Sequence, residues 1–148
     1  MLKDIIIFDI DGTCSLPGYR RKYLEQTPKN WNAYFEQCDK DKPNEPVMHV
    51  LRALVRSRGL TKIIFVTGRR ESTRKKTLEW FFKHGVIVPS DTLYMRADDD
   101  HRHDIQIKPE MVQDFLPRIS MVFEDRNSVV KMWRDMGIPC FHVADGNF

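Results

Sequence analysis

Four short apolar runs punctuate the chain, at Leu2 to Phe8, Lys62 to Val66, Ile119 to Phe123 and Cys140 to Val143. Each is rich in β-branched or aromatic residues and too short for a helix, which predicts buried strands. A shorter run at Leu93 to Met95 predicts one more. Between the first two strands Val47, Val50, Leu51, Leu54 and Val55 recur at helical spacing, with Pro46 suited to a first turn and Gly59 to a stop. Leu78, Phe81 and Phe82 predict a second helix ending at Gly85, and Val129, Val130, Trp133 and Met136 another ending at Gly137. Met111, Val112 and Phe115 predict a shorter helix following Pro109. Strands alternating with helices of this length imply an α/β fold, a doubly wound Rossmann-like parallel sheet with helices on both faces. In such sheets ligands bind beyond the C-terminal ends of the strands.

One segment breaks the alternation. Residues 15–45 are polar, carry Pro17, Gly18, Pro28 and Pro43, and have room for a single helix lined by Trp31, Tyr34, Phe35 and Cys38. Thr27 and Pro28 suit its cap and first turn. The stripe is expected to pack on the core; the alternative is a lid or stacking surface over a site. The other dense polar stretch is "ADDDHRHD", Ala97 to Asp104.

At 148 residues the chain predicts one domain, 1–148, with 15–45 as a small insert. No apolar run reaches the roughly 18 to 20 residues of a membrane helix, and Met1 to Asp4 opens no signal peptide, so a soluble, cytoplasmic protein is expected. Cys14, Cys38 and Cys140 are widely spaced and read as reduced thiols, Cys14 as a buried one without a part in the chemistry. A zinc site from His101, His103 and a cysteine matches no common ligand spacing. The net charge of +3 permits a polyanionic partner without requiring one.

The first run drives straight into charge, "IIIFDIDGTC" from Ile5 to Cys14. Asp9 and Asp11 follow a buried strand, so their carboxylates stand at the open edge of the sheet, where a divalent cation can be shared and water can enter. Gly12 allows a close backbone approach, and Thr13 adds a hydroxyl and an amide donor. A lone acidic pair after a strand is common; "FDIDGT" is more specific.

That motif resembles the first motif of the haloacid dehalogenase superfamily, whose phosphatases carry the second aspartate. The resemblance implies Asp9 as a nucleophile forming an aspartyl-phosphate, and Asp11 as the acid for the leaving oxygen and then the base for water. Later motifs fall in order at later elements. "FVTGR" places Thr67, Gly68 and Arg69 where the family binds the transferring phosphoryl group. Lys108 in "IQIKPE", placed before a helix, matches the lysine that holds nucleophile and phosphate together. "ISMVFEDRNSVV" supplies Glu124 and Asp125 for the acidic metal site. By position Asp125 would ligate the metal directly with Asp9 and the Asp11 carbonyl, leaving Glu124 for an indirect or water-mediated contact. Hard oxygen ligands argue for Mg2+ over zinc.

"FVTGRRES", "LPGYRR" and the tail "VVKMWRDMGIPCFHVADGNF" narrow the resemblance to the 3′-phosphatase domains of phage polynucleotide kinase-phosphatases. Family arginines that bind phosphate and strand would be Arg20 or Arg21, and Arg69. Arg20, Arg21, Lys22, Arg69, Arg70 and Arg74 would all gather near the reactive edge, where a nucleic-acid backbone approaches. Neither interval between motifs holds a large cap domain, so the cap is minimal and the site open. The kinase motif GxxxxGK[ST] is absent from the chain. The expected activity is Mg2+-dependent removal of the 3′-phosphate from DNA or RNA ends, with a separately encoded kinase or ligase as a candidate partner. The rival enzyme is a phosphatase of small nucleotides; the rival from another class is a non-catalytic phospho-acceptor module, in which the acidic pair precedes a mid-chain acceptor, the reverse of the order here.

Overall fold

The structure is a computed structural model that describes residues 2–57, 59 and 61–148. The strands are β1 (Ile5–Phe8), β2 (Ser15–Leu16), β3 (Lys42–Pro43), β4 (Lys62–Arg70), β5 (Leu93–Arg96), β6 (Ile119–Arg126) and β7 (Cys140–Gly146). The helices are α1 (Trp31–Glu36), α2 (Glu45–Arg56), α3 (Arg74–Lys83), α4 (Asp104–Met111) and α5 (Asn127–Asp135). Five strands form one parallel sheet in the order β5-β4-β1-β6-β7, so the strand carrying the acidic motif is central. β2 and β3 make a separate antiparallel pair within the insert.

The strand pleat divides the core in two. Ile6, Phe8 and Phe65 face Met48, Leu51, Trp80 and Phe81 of α2 and α3, whereas Ile5, Ile7, Ile64 and Val66 face Val129, Val130 and Trp133 of α5. Both faces of the sheet are thereby covered, which accounts for the unbroken apolar runs. All three cysteines are buried free thiols, and burial pushes the Cys14 thiol up. No helix among the described residues is long and apolar enough to cross a membrane.

Several expectations are corrected. β1 starts at Ile5 and not at Leu2, which is exposed. Val50, Val55, Phe82 and Met136 lie on the solvent side of their helices, and Met48 and Trp80 take core places instead. α2 stops at Arg56, before Gly59, because Ser57 turns extended while its amide still donates to Ala53 and Leu54. α3 and α5 do stop just ahead of Gly85 and Gly137, at Lys83 and Asp135, and both glycines take positive φ. The helix expected after Pro109 begins earlier, at Asp104. A capping box starts it: the Ile105 amide donates to His103 Nδ1 at 3.3 Å, and the His103 amide donates to Gln106 Oε1. Pro109 is therefore inside α4, and Lys108 lies on that helix and not ahead of it. In the insert Asn30 caps α1 by accepting from the Ala33 amide, while Thr27 and Pro28 stand outside the helix.

Candidate active site

The site is built where β1, β4 and β6 end together. Phe8 and Phe123 are register partners with rings stacked at 4.5 Å and 2°, and the Asp9 amide donates to the Phe123 carbonyl at 3.0 Å. The residues that follow those rings, Asp9 on one strand and Glu124 and Asp125 on the other, are thus held side by side at one edge. One carboxylate oxygen from each of the three lies within 4.8 Å of the other two.

Lys108 enters this trio from α4. Its ammonium donates to Asp9 Oδ1 at 2.8 Å and to Glu124 Oε2 at 2.8 Å. The other Glu124 oxygen accepts the amides of Asp125 and Arg126, so both of its oxygens are engaged by donors of the protein. Thr13 Oγ1 lies 3.2 Å from Asp9 Oδ2 and 3.3 Å from Asp125 Oδ1. Gly12, at φ +86°, closes the loop over the pair; a Cβ there would collide with the Asp125 carboxylate.

Three buried carboxylates against one ammonium leave two negative charges unmatched. The titration behaviour reflects that crowding. Burial, then the Glu124 charge, pushes Asp125 up to about 7 and Asp9 well above the usual carboxylate range. Burial opposes the Lys108 charge, but the Asp9 and Glu124 carboxylates hold the ammonium protonated. An oxygen-only donor set with surplus negative charge fits a hard divalent cation and not a soft one.

Asp11 belongs to a second array. Its Oδ1 accepts from Arg20 Nη2 at 2.8 Å, from Arg69 Nε at 2.9 Å and from Arg69 Nη2 at 2.7 Å. Burial would raise its carboxyl, yet the Arg69 and Arg20 charges and hydrogen bonds outweigh this and hold it well below the usual range. Behind it Asp41 accepts from Arg20 Nε at 2.7 Å, Arg20 Nη2 at 2.5 Å, Ser15 Oγ at 2.9 Å and Arg69 Nη2 at 3.3 Å. Trp80 Nε1 fixes the Asp41 carbonyl at 2.8 Å. Two carboxylates and two guanidiniums balance here, all but Asp11 buried.

Both arrays border a cavity of about 750 Å³, within the range of roughly 300–1,000 Å³ usual for ligand sites. Asp9, Asp11, Thr67, Gly68, Lys108 and Asp125 reach its wall. The chain matches, over residues 3–148, the family model described as the polynucleotide kinase PNKP phosphatase domain. It belongs to that family.

Its relatives agree. A protein of Autographa californica nuclear polyhedrosis virus that carries the name bifunctional polynucleotide kinase/RNA ligase is 27% identical over 137 residues, 90% of this chain and 18% of that protein. A solved Pnkp1/Rnl/Hen1 complex contains a chain 32% identical with a TM-score of 0.80, covering 99% of this chain and 48% of that one. A Pnkp1/Rnl/Hen1 RNA repair complex gives 31% identity and a TM-score of 0.79, covering 99% and 44%. The chain spans less than half the length of these relatives. A Clostridium difficile protein described as a phosphatase shares the fold at a TM-score of 0.62 and 14% identity, over 96% of this chain and 85% of that one.

Within this phosphatase-domain family member, the sequence-assigned residues separate into three places. Asp9, Lys108, Glu124 and Asp125 converge as described, and Thr67 and Gly68 border the same cavity. Arg20 and Arg69 are buried against Asp11 and do not line the cavity, whereas Arg21 and Arg70 do. Lys22 sits over the Tyr23 ring, and Arg74 is tied to Glu71, Ser90 and Leu93, away from the cavity. Arg20 and Arg69 meet the cavity lining through Asp11, whose Oδ1 they both hold.

Four residues were missed by sequence reasoning. Asp41 lies in the aperiodic insert and carries no strand-end signal. Asp104 opens α4 one turn before Lys108 and is gripped by Arg96 and, at 3.5 Å, by Arg126, both at the ends of β5 and β6. The last two could have been found by the strand-end rule that picked out Asp9. The expected core stripe of α1 is also corrected: Cys38 is buried, but Trp31, Tyr34 and Phe35 line the cavity with the catalytic candidates.

Proposed function

We propose that this chain is a Mg2+-dependent phosphatase that removes the 3′-phosphate from polynucleotide ends, DNA or RNA, through an aspartyl-phosphate. The observation that carries the reading is the convergence of Asp9 with Lys108 and Asp125 on the wall of a cavity that Thr67 also lines, in a chain of the polynucleotide kinase PNKP phosphatase-domain family.

In this reading Asp9 is the nucleophile. Its carboxylate attacks phosphorus, the bond to the 3′-oxygen breaks, and Lys108 screens the repulsion between carboxylate and phosphate while Glu124 keeps the ammonium in place. Thr67 and Gly68, on the cavity wall at the end of β4, receive the phosphoryl oxygens. Asp9, Asp125 and the Asp11 carbonyl would hold Mg2+, and Glu124, whose two oxygens are occupied, would contribute charge to the site. The cation supplies charge neutralisation and orientation of the phosphoryl group.

Asp11 handles protons. Bound to both arginines it is a carboxylate, the form that takes a proton from the water hydrolysing the aspartyl-phosphate. An arriving phosphate adds negative charge beside it, which raises its affinity for a proton and lets it serve the leaving oxygen. Arg20 and Arg69 set that balance.

The test is release of inorganic phosphate from a 3′-phosphorylated oligonucleotide. Wild type with Mg2+ should turn it over, and Asp9→Asn or chelation of the metal should abolish turnover. Equal or better use of a free 3′-mononucleotide would replace the polymer reading with a small-nucleotide phosphatase. Phosphate binding with no turnover of any ester would make the chain a non-catalytic module. Because the relatives are longer proteins, a kinase or ligase elsewhere in the same polypeptide or assembly is the partner proposed.

A further inference from the structure

The aromatic stripe of α1 is the feature the catalytic reading does not use. Trp31 is 42% exposed, the one tryptophan of three that is not in the core. Its ring stacks on Phe35, one turn along, at 6.0 Å and 22°, and meets the Tyr34 edge at 5.9 Å and 84°. Tyr34 and Phe35 in turn pack edge to face at 5.4 Å. The block is pinned in place. Arg20 lies over the Tyr34 ring at 4.4 Å and donates to the Tyr34 carbonyl at 2.8 Å, while Arg70 lies over Phe35 at 5.2 Å and donates to Asn32 at 2.6 Å.

Three rings locked together and left facing a cavity do not serve the core. They share that cavity with Asp9, Thr67 and Lys108, and the cationic Arg21, Lys29 and Arg70 also line it, the Lys29 ammonium lying over the Trp31 ring at 5.8 Å. A flat, rigid π-surface framed by positive charge complements a planar base attached to a phosphodiester backbone. Buried Arg20 anchors Tyr34, and half-buried Arg70 holds Phe35 from the cavity side.

We propose that Trp31, supported by Phe35 and Tyr34, is a stacking platform for the unpaired base of the terminal nucleotide, and so a specificity-determining residue. This rests on the polynucleotide-phosphatase reading and deepens it. Because every base has a π-face, the platform tolerates any base but demands that there be one. It separates a nucleotide end from a phosphate ester on a bare sugar.

The experiment compares kcat/KM for a single-stranded 3′-phosphorylated oligonucleotide with that for the same oligonucleotide ending in an abasic sugar 3′-phosphate. Stacking of one base is worth about 1–3 kcal/mol, which converts to a preference of about 5- to 150-fold at about 1.4 kcal/mol per factor of ten. Wild type should show that ratio, mainly through KM; Trp31→Ala should bring it close to one, and Trp31→Phe should restore most of it. A structural role alone would slow both substrates and leave the ratio intact, which would overturn the proposal, as would a wild-type ratio near one. A binding measurement covers a poorly folded Trp31→Ala protein. With Asp9→Asn, the base-bearing oligonucleotide should quench tryptophan emission and the abasic one should not; equal quenching refutes the platform. Failure of the underlying reading looks different: wild type then releases no phosphate from either oligonucleotide while cleaving a small phosphate ester, and the platform falls with it.

Discussion

Replacing Asp41 with alanine takes an acceptor out of a buried ion network while leaving the donors in place. The Arg20 and Asp41 side chains are both fully buried, and Asp41 accepts from Arg20 Nε and Nη2, from Ser15 and from Arg69. Without it two guanidiniums face the single Asp11 carboxylate. Breaking a buried pair by removing one partner costs about 3–5 kcal/mol, a large share of the roughly 5–15 kcal/mol that holds a domain folded. With a urea slope near 2 kcal/mol/M, the midpoint should fall by about 1.5–2.5 M. The double variant Arg20→Met with Asp41→Leu removes the stranded charge and leaves Asp11 paired with Arg69 alone, so it should recover much of that loss. Urea denaturation followed by circular dichroism reads both. If Asp41→Ala moved the midpoint by less than about 0.5 M, or the double variant fell further than the single one, the network would not be bearing on the fold as its geometry requires.

Two further outcomes follow from the other array. Gly12→Ala must hold a Cβ at φ +86° against the Asp125 carboxylate, at a cost of about 1–3 kcal/mol for the backbone alone; phosphate release should fall at least about 10-fold, and full activity would show that Asp125 is not held by this turn. Mg2+ should raise the thermal midpoint of the wild type by relieving the crowded acids; at about 100 times its dissociation constant the gain is about 2.7 kcal/mol, or about 5–10 °C for a domain of this size. Differential scanning fluorimetry of wild type and Asp125→Asn checks it, and an undiminished shift in the variant would remove Asp125 from the cation site.

What was legible in the sequence is what a strand end makes legible. Asp9, Thr67 and Asp125 each follow an apolar run that admits one reading, because a parallel strand buried on both faces has no use for polar residues until it nears its C-terminal end. Lys108 was found by its order along the chain, but its helix was misplaced. α4 buries Ile107 and Lys108 and little else, so it has no apolar stripe to betray it, and its start is written in a histidine cap within a stretch that reads as a polar loop. The stripe of α1 failed the opposite way. Trp31, Tyr34 and Phe35 have the spacing of a core face, and periodicity cannot tell a face turned to the core from one turned to a cavity.

Asp41 was invisible for a related reason. Nothing immediately around it is periodic, and an aspartate between two lysines reads as solvated. The clue to it is electrostatic and comes from the structure: Arg20 and Arg69 together outnumber Asp11, and buried guanidiniums need a second anion. With Asp41 counted, the Asp11 array is neutral, so the unmatched negative charge of the site lies wholly among Asp9, Glu124 and Asp125. A phosphate arriving at Asp9 adds to that surplus, whereas one arriving at Asp11 meets balance. In the proposed mechanism, cation demand would therefore belong to the Asp9 side and proton handling to the Asp11 side, two positions away along the same loop.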